Sequence, residues 1–237
     1  MDVSVRLWGG LAILSALSVG LGGCQVSKSQ EQSPVARLIV KLGGGSSAQE
    51  REKLINDLLS SDADLRREAV MKLGRGQAAR WDITPKILEN RALGDESGQV
   101  RAAAVQVYAK LDRSEKLPEV LRQAAGDTDV RVRRECVWAL SRRRDKQSME
   151  VLLKLLGEDK EALIRGESAA GLGSYRERQA VQGLIGALDD EEFGVSYRVL
   201  RSLRQLTGQD FGYDRQGWQD WFYATNDTFG AKDNRKN

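Results

Sequence analysis

The sequence predicts an all-α protein: a right-handed α-solenoid of about five helical hairpins with a short C-terminal capping helix. Two observations predict this fold. Five similar segments begin at residues 65, 100, 132, 164 and 195, so they are 35, 32, 32 and 31 residues apart. Within each segment the apolar residues follow a helical period, as Val100, Ala104 and Val107 do at i, i+4 and i+7. Units of this length cannot bury an apolar face alone, so they stack on their neighbours.

Each repeat is expected to contain two helices. A second amphipathic run precedes the recurring segments, as Leu152 and Leu156 do before the fourth. Asp145 is expected to cap one of these first helices, and the Thr84 hydroxyl, which precedes Pro85, is expected to cap another. The first helix, a tight turn and the second helix together make one hairpin.

Charged residues recur with the same period as the apolar ones. An aspartate precedes each segment and an arginine stands second in the first four segments. The residues are Asp62, Asp95, Asp127, Asp159 and Asp190, and Arg66, Arg101, Arg133 and Arg165. Because they recur in every repeat, we expect them to form a ladder of salt bridges between repeats, or helix caps, and not a catalytic centre. Ser196 replaces the arginine in the fifth segment.

These strings resemble the HEAT repeat family, in the short form of about 30 residues found in bilin-lyase-like proteins. The resemblance lies in Asp127-Thr128-Asp129, followed by Val132-Arg133 and Ala139-Leu140, and it covers about residues 48–206. It implies a solenoid and leaves the activity open. Deoxyhypusine hydroxylases share such repeats but bind iron through His-Glu pairs, and this chain has no histidine.

The residues before the repeats are predicted to be an export signal and a tether. An uncharged run of 15 residues from Leu7 to Leu21 fits the apolar part of a signal peptide better than a bilayer-spanning helix of about 20 residues, with an uncleaved anchor as the alternative. Leu21-Gly22-Gly23-Cys24 resembles the lipobox of bacterial lipoproteins. The resemblance implies a signal peptide at 1–23 and lipidation of Cys24. The polar residues 25–34 and the Gly/Ser-rich residues 43–47 indicate a flexible tether at 24–47, with the apolar residues 35–42 as a docking element. Gln25 is not aspartate, which by analogy with enteric sorting favours the outer membrane.

The residues after the repeats, 207–237, are predicted to form a cap and a tail. Asp214 can begin a last helix with Trp218, Trp221 and Phe222 on one side. Because the open end of a solenoid must be covered, we expect these aromatic residues to form a cap. A ligand-binding aromatic patch is the alternative.

Composition excludes several classes of function. The absence of histidine removes Ser-His-Asp and Cys-His catalysis and every metal site that uses histidine, so neither a metal nor a cofactor is expected. Cys136 falls on the buried stripe and is expected to be a small core residue. The net charge of +3 argues against a nucleic-acid partner. A locally basic run, with arginines at 131, 133, 134 and 142–144, keeps that partner as an alternative.

A partner surface follows from helix geometry. Counting from the first residue of each recurring segment as position 0, positions 0, +4, +7 and +8 form the buried stripe, and positions +2 and +6 point away from it. We call the residues at +2 and +6 the second-helix face, which in HEAT solenoids lines the concave side. Its candidate binding residues are Arg67, Met71, Gln106, Arg134, Trp138, Tyr197 and Arg201. Arginine and aromatic residues are enriched where partners bind most tightly. The alternative is that Trp138 shields a neighbouring repeat.

The sequence therefore predicts a non-catalytic scaffold for protein–protein interaction, lipid-anchored in a bacterial cell envelope and facing the periplasm. Two alternatives remain. One is a chromophore-handling protein of the bilin-lyase-like class, and the other is a purely structural envelope protein without a specific partner.

Overall fold

A computed structural model describes residues 48–112 and 118–225. The predicted signal peptide, Cys24 and the tether lie outside these residues. The described helices are α1 (Ala48–Leu59), α2 (Ala63–Leu73), α3 (Thr84–Gly94), α4 (Gly98–Leu111), α5 (Glu119–Ala124), α6 (Val130–Arg143), α7 (Lys146–Glu158), α8 (Ala162–Leu172), α9 (Arg178–Gly186), α10 (Phe193–Thr207) and α11 (Arg215–Ala224), with a short 3₁₀ helix at Ala78–Arg80.

The helices form five consecutive hairpins, α1–α2, α3–α4, α5–α6, α7–α8 and α9–α10. The second helices pack in one unbroken row, in the order α2, α4, α6, α8 and α10. Among the first helices, α3 packs on α5 and α7 on α9. The five recurring segments lie in the five second helices, so the predicted α-solenoid of helical hairpins is confirmed.

The buried stripe is the contact surface between successive second helices. Position 0 is fully buried at Val100, Val132 and Ile164, as the helical period predicts. In the first repeat the expectation is wrong, because Leu65 at position 0 and Lys72 at position +7 are both exposed. These two positions face the preceding repeat in the other hairpins, and the described part of the chain begins with the first hairpin.

The predicted N-cap is confirmed at Asp145 and is wrong at Thr84. Asp145 accepts a hydrogen bond from the Ser148 backbone N–H at 2.9 Å. Thr84 is instead the first residue of α3, and its hydroxyl donates to the carbonyl of Ala78 at 2.6 Å. Ala78 belongs to the 3₁₀ helix between α2 and α3, and these extra residues account for the longer first interval of 35 residues.

Arginine side chains connect each repeat to the next one. In four places an arginine donates through Nε and Nη2 to both carboxylate oxygens of an aspartate, at 2.7 to 3.0 Å. The pairs are Arg66–Asp95, Arg101–Asp127, Arg133–Asp159 and Arg165–Asp190. Each arginine comes from one repeat and each aspartate from the repeat that follows. We call these four pairs the arginine ladder.

The same side chains also satisfy the turn inside each hairpin. The Nη1 group of Arg133, for example, donates back to the carbonyls of Asp127 and Thr128, which precede its own helix. On the other side, Asp159 accepts a hydrogen bond from the backbone N–H of Glu161 at 2.9 Å. Each pair therefore fixes two turns and one interface between repeats, with both charges largely removed from water.

The ladder ends differently at its two ends. Asp62 is exposed and caps α2 by accepting from the Asp64 backbone N–H at 2.8 Å. Ser196, in the fifth repeat, donates its hydroxyl to the carbonyl of Asp190 at 3.0 Å, which replaces the backbone contact made by the arginines elsewhere. The hydrogen bonds from Arg165 hold the pKa of Asp190 below its usual range.

The C-terminal helix covers one end of the stack. Gly208 ends α10 with a φ of 70°, a left-handed conformation that suits glycine. Helix α11 packs on α9 and buries Trp218 and Phe222, while Trp221 is half-buried. Arg178 of α9 lies 3.8 Å from the ring centre of Phe222 and donates to its carbonyl. The prediction of a capping helix is confirmed.

Candidate partner-binding face

The row of second helices carries the predicted face. The seven residues lie on α2 (Arg67 and Met71), α4 (Gln106), α6 (Arg134 and Trp138) and α10 (Tyr197 and Arg201). All seven are exposed or half-buried. The structure thus places them on the row of helices expected from the helical period.

Helix α6 contributes the tryptophan of this face. Trp138 is 41% exposed, and the guanidinium carbon of Arg142 lies 5.0 Å from the centre of its ring. A surface pocket of about 340 Å³ borders Trp138 on the α4 side and is also lined by Lys110 and Arg143. An indole that is stacked on one arginine and still open to solvent can contact a partner at little conformational cost.

Helix α10 contributes an aromatic cluster. Phe193, Tyr197 and Tyr213 are 70%, 53% and 45% exposed. The ring centre of Phe193 lies 6.5 Å from that of Tyr197 and 6.0 Å from that of Tyr213. The sequence argument missed Phe193 and Tyr213, although Phe193 at position −2 also points away from the buried stripe.

Helix α8 presents only small side chains at the corresponding positions. Gly166 stands at +2 and Ala170 at +6, between the larger residues of α6 and α10. A Cβ atom at Gly166 would lie 3.0 Å from Cδ of Arg198, so this arginine of α10 lies across the glycine. The face is therefore lower over α8 than over its two neighbours.

The N-terminal half of the face is more polar, and its side chains contact other side chains of the same protein. Arg67 lies 3.6 Å from Asp64 one turn earlier. Gln106 is half-buried and forms a hydrogen bond with Glu135. Burial raises the pKa of the Glu135 carboxyl group, and the hydrogen bond from Gln106 offsets part of this effect. The exposed aromatic residues lie in the other half, on α6 and α10.

The basic run from 131 to 144 is not a continuous positive patch. Arg133 belongs to the ladder, and three further arginines have acidic partners. The pairs are Arg131–Asp129 at 2.7 Å, Arg134–Glu167 at 3.1 Å, and Arg143 with Asp112 and Asp145 at 2.6 and 2.9 Å. These carboxylates neutralise much of the charge that a nucleic-acid phosphate backbone would need.

Cys136 is a core residue, as predicted. Its side chain is fully buried and its thiol donates to the carbonyl of Leu121 at 3.0 Å. Burial raises the pKa of the thiol to about 12, so it is protonated at neutral pH. Among the described residues, no group of three or more His, Cys, Asp or Glu side chains is placed to hold a metal ion.

The geometry places this protein in the class of helical-repeat solenoids, with an exposed row of second helices. The family model for HEAT repeats matches residues 85–173, from the first turn of α3 to the end of α8. The predicted HEAT repeats are therefore confirmed for this segment. A comparison with curated proteins finds no match. No helix within 48–112 and 118–225 has both the length and the apolar character needed to cross a membrane.

Proposed function

We propose that this protein is a non-catalytic scaffold, anchored to a membrane through lipidated Cys24, which binds a protein partner on the second-helix face. The observation that carries the proposal is the exposed Trp138, flanked by Arg134 and Arg142 on α6. HEAT repeats commonly mediate contacts between proteins, and repeat solenoids bind partners along their extended inner surface.

The kinds of side chain on this face favour a protein partner. Tryptophan, tyrosine and arginine supply most of the binding energy at protein interfaces, because they combine a large apolar surface with a polar group. Trp138 and Tyr197 stand on separate helices of the same row, so one partner can engage both. The face also contains the aromatic cluster that begins at Phe193.

A recovery experiment tests the binding face. The full chain, extracted in mild detergent, is used to recover its partner in three forms: Trp138→Ala, Arg134→Glu, and Lys154→Glu as the control. Lys154 is exposed on α7, in the layer of first helices, so its charge reversal does not touch the proposed face. We expect the first two variants to lose the partner and the control to keep it. Undiminished recovery with both face variants would disprove the assignment.

The anchor is tested separately. The lipobox-like segment before Cys24 supports lipidation, cleavage after Gly23 and export to the periplasmic side, with the outer membrane favoured. Cys24→Ala is expected to give an unprocessed or soluble protein after cell fractionation. If the variant still sediments with membranes to the same extent, a different segment is the anchor.

A further inference from the structure

The C-terminal half of the second-helix face contains a groove. Its floor is the outward side of α8, where Leu163, Gly166 and Ala170 lie at i, i+3 and i+7. One wall is α6 with Trp138, and the other is α10 with Tyr197, because both helices pack directly on α8. We call this the α8 groove.

The floor is apolar and accessible in part. Leu163 is 46% exposed and Ala170 is exposed, whereas Gly166 is covered by the side chain of Arg198. Because Arg198 lies across the glycine, its aliphatic stem packs on α8 and its charged end stays at the surface. The floor therefore offers apolar contact surface at Leu163 and Ala170, with the Arg198 cation between them.

The groove carries an excess of positive charge. Arg134 is paired with Glu167, the acid of α8 that lies beside it. Arg198 and Arg201 of α10 are exposed, and neither has an acidic partner within the described residues. Arg142 stacks on Trp138 and lines the pocket on the α4 side. Two arginines beside one apolar floor complement a ligand that combines carboxylates with an apolar side chain.

We propose that the α8 groove binds a short acidic segment of the partner protein. Carboxylates of that segment bind Arg198 and Arg201, and an apolar side chain lies over Ala170 toward Trp138. This inference rests on the proposed function, since it assigns the chemistry of the partner at the same face. Guanidinium groups bind carboxylates with paired hydrogen bonds, which gives the contact both strength and direction.

The length of the segment follows from helix packing. Packed helices lie about 8–10 Å apart, so α6 and α10, one on each side of α8, are separated by roughly 20 Å. An extended chain covers about 3.3 Å per residue, so about six residues cross the groove.

The surrounding charges favour a peptide over an anionic membrane. Phe193 and Tyr213 are the most prominent apolar side chains near the groove, and each is next to an exposed acid, Glu192 and Asp214. A surface that placed these rings in a negatively charged lipid layer would also bring the two acids to it, which is unfavourable. A short peptide held by Arg198 and Arg201 over Ala170 need not contact either ring or either acid.

Peptide binding to the full chain in non-ionic detergent tests the proposal. The probe is a fluorescein-labelled octapeptide of glutamates with one central leucine, and its counterpart has lysines in place of the glutamates. Fluorescence anisotropy is measured with the unchanged protein, with R198E/R201E, and with K154E/K160E. The last variant makes the same change in net charge at two exposed lysines outside the groove. Addition of phosphatidylglycerol to the micelles, with phosphatidylcholine as the control, tests the lipid alternative.

We expect the glutamate peptide to bind and the lysine peptide not to bind, with affinity falling as salt is raised. R198E/R201E is expected to weaken binding about tenfold or more, and K154E/K160E to leave it near the unchanged value. Equal effects of the two variants, or equal binding of both peptides, would overturn the proposal. The proposal would also be overturned if the protein bound phosphatidylglycerol but not the peptide, and if R198E/R201E abolished that lipid binding. If the peptide fails while partner recovery still depends on Trp138, only the acidic character of the partner is wrong.

Discussion

Removal of one carboxylate from the arginine ladder should destabilise the whole stack. We choose Asp159→Ala, because this pair joins the third repeat to the fourth near the middle of the chain. The exposed fractions of the Arg133 and Asp159 side chains are 6% and 4%. The substitution leaves the guanidinium buried with only its two backbone carbonyl contacts.

The magnitude follows from the bonds that are lost. Asp159 accepts two charge-assisted hydrogen bonds from Arg133 and one from the backbone of Glu161. Breaking a buried ion pair by removal of one partner costs about 3–5 kcal/mol, because the other charge stays buried without compensation. This is a large part of the stability of a typical domain, which is about 5–15 kcal/mol.

Urea unfolding followed by far-ultraviolet circular dichroism measures this change. The matched control is Asp210→Ala, which removes an Arg–Asp contact of similar length, 2.8 Å to Arg204, at the protein surface. The control should shift the urea midpoint far less, since solvent screens an exposed pair. The combination Arg133→Met with Asp159→Leu should recover much of the loss, because no unpaired charge remains. Equal midpoints for Asp159→Ala and Asp210→Ala would refute the reasoning.

Two further predictions concern pH and packing. Hydrogen bonds from Arg131 hold the pKa of Asp129 at about 2, and the pKa of Asp190 is also lowered. Because both carboxyl groups have higher pKa values in the unfolded chain, the urea midpoint should change little between about pH 6 and pH 8 and fall as the pH is lowered from about 4 to about 2. An unchanged midpoint over that acidic range would contradict this. Gly171→Ala should cost about 1–3 kcal/mol in urea unfolding, since its Cβ would lie 2.2 Å from Oγ of Ser141. Gly157→Ala should not destabilise the protein, because the space around Gly157 is open. A larger loss of stability from Gly157→Ala than from Gly171→Ala would contradict this packing.

The period of the sequence predicts the repeats because the same contacts recur in each one. Val100 and Val132 occupy equivalent buried sites, so a single apolar pattern appears repeatedly along the chain. The spacing of aspartates and arginines predicts that they interact. It leaves the pairing direction open, because Arg133 is only six residues from Asp127 of its own repeat, and stacking is what brings Asp159, 26 residues away, to it.

Where the sequence prediction is wrong, a local change interrupts the repeat. Thr84 has the right side chain for a cap, but the 3₁₀ helix before α3 offers the carbonyl of Ala78 as a closer acceptor. Leu65 is apolar at a buried position, yet it belongs to the first described hairpin. Both differences depend on what precedes a repeat, which a pattern within the repeat does not contain.

The candidate face could be predicted in position but not in shape. The helical period places Trp138 and Tyr197 on the side away from the core. It does not indicate that Arg198 lies across Gly166, or that Phe193 and Tyr213 extend the aromatic surface. Those features depend on the packing of α8 against α10 and on the path of the chain after Gly208.

Photo-crosslinking in intact cells tests the central claim most directly. A benzophenone amino acid is placed at position 138, 197 or 154 of the full chain, and the crosslinked products are separated by mass. Binding on the second-helix face predicts one shared crosslinked protein from positions 138 and 197 and none of it from 154, on α7. The same product from all three positions, or a discrete product from 154 alone, would contradict it.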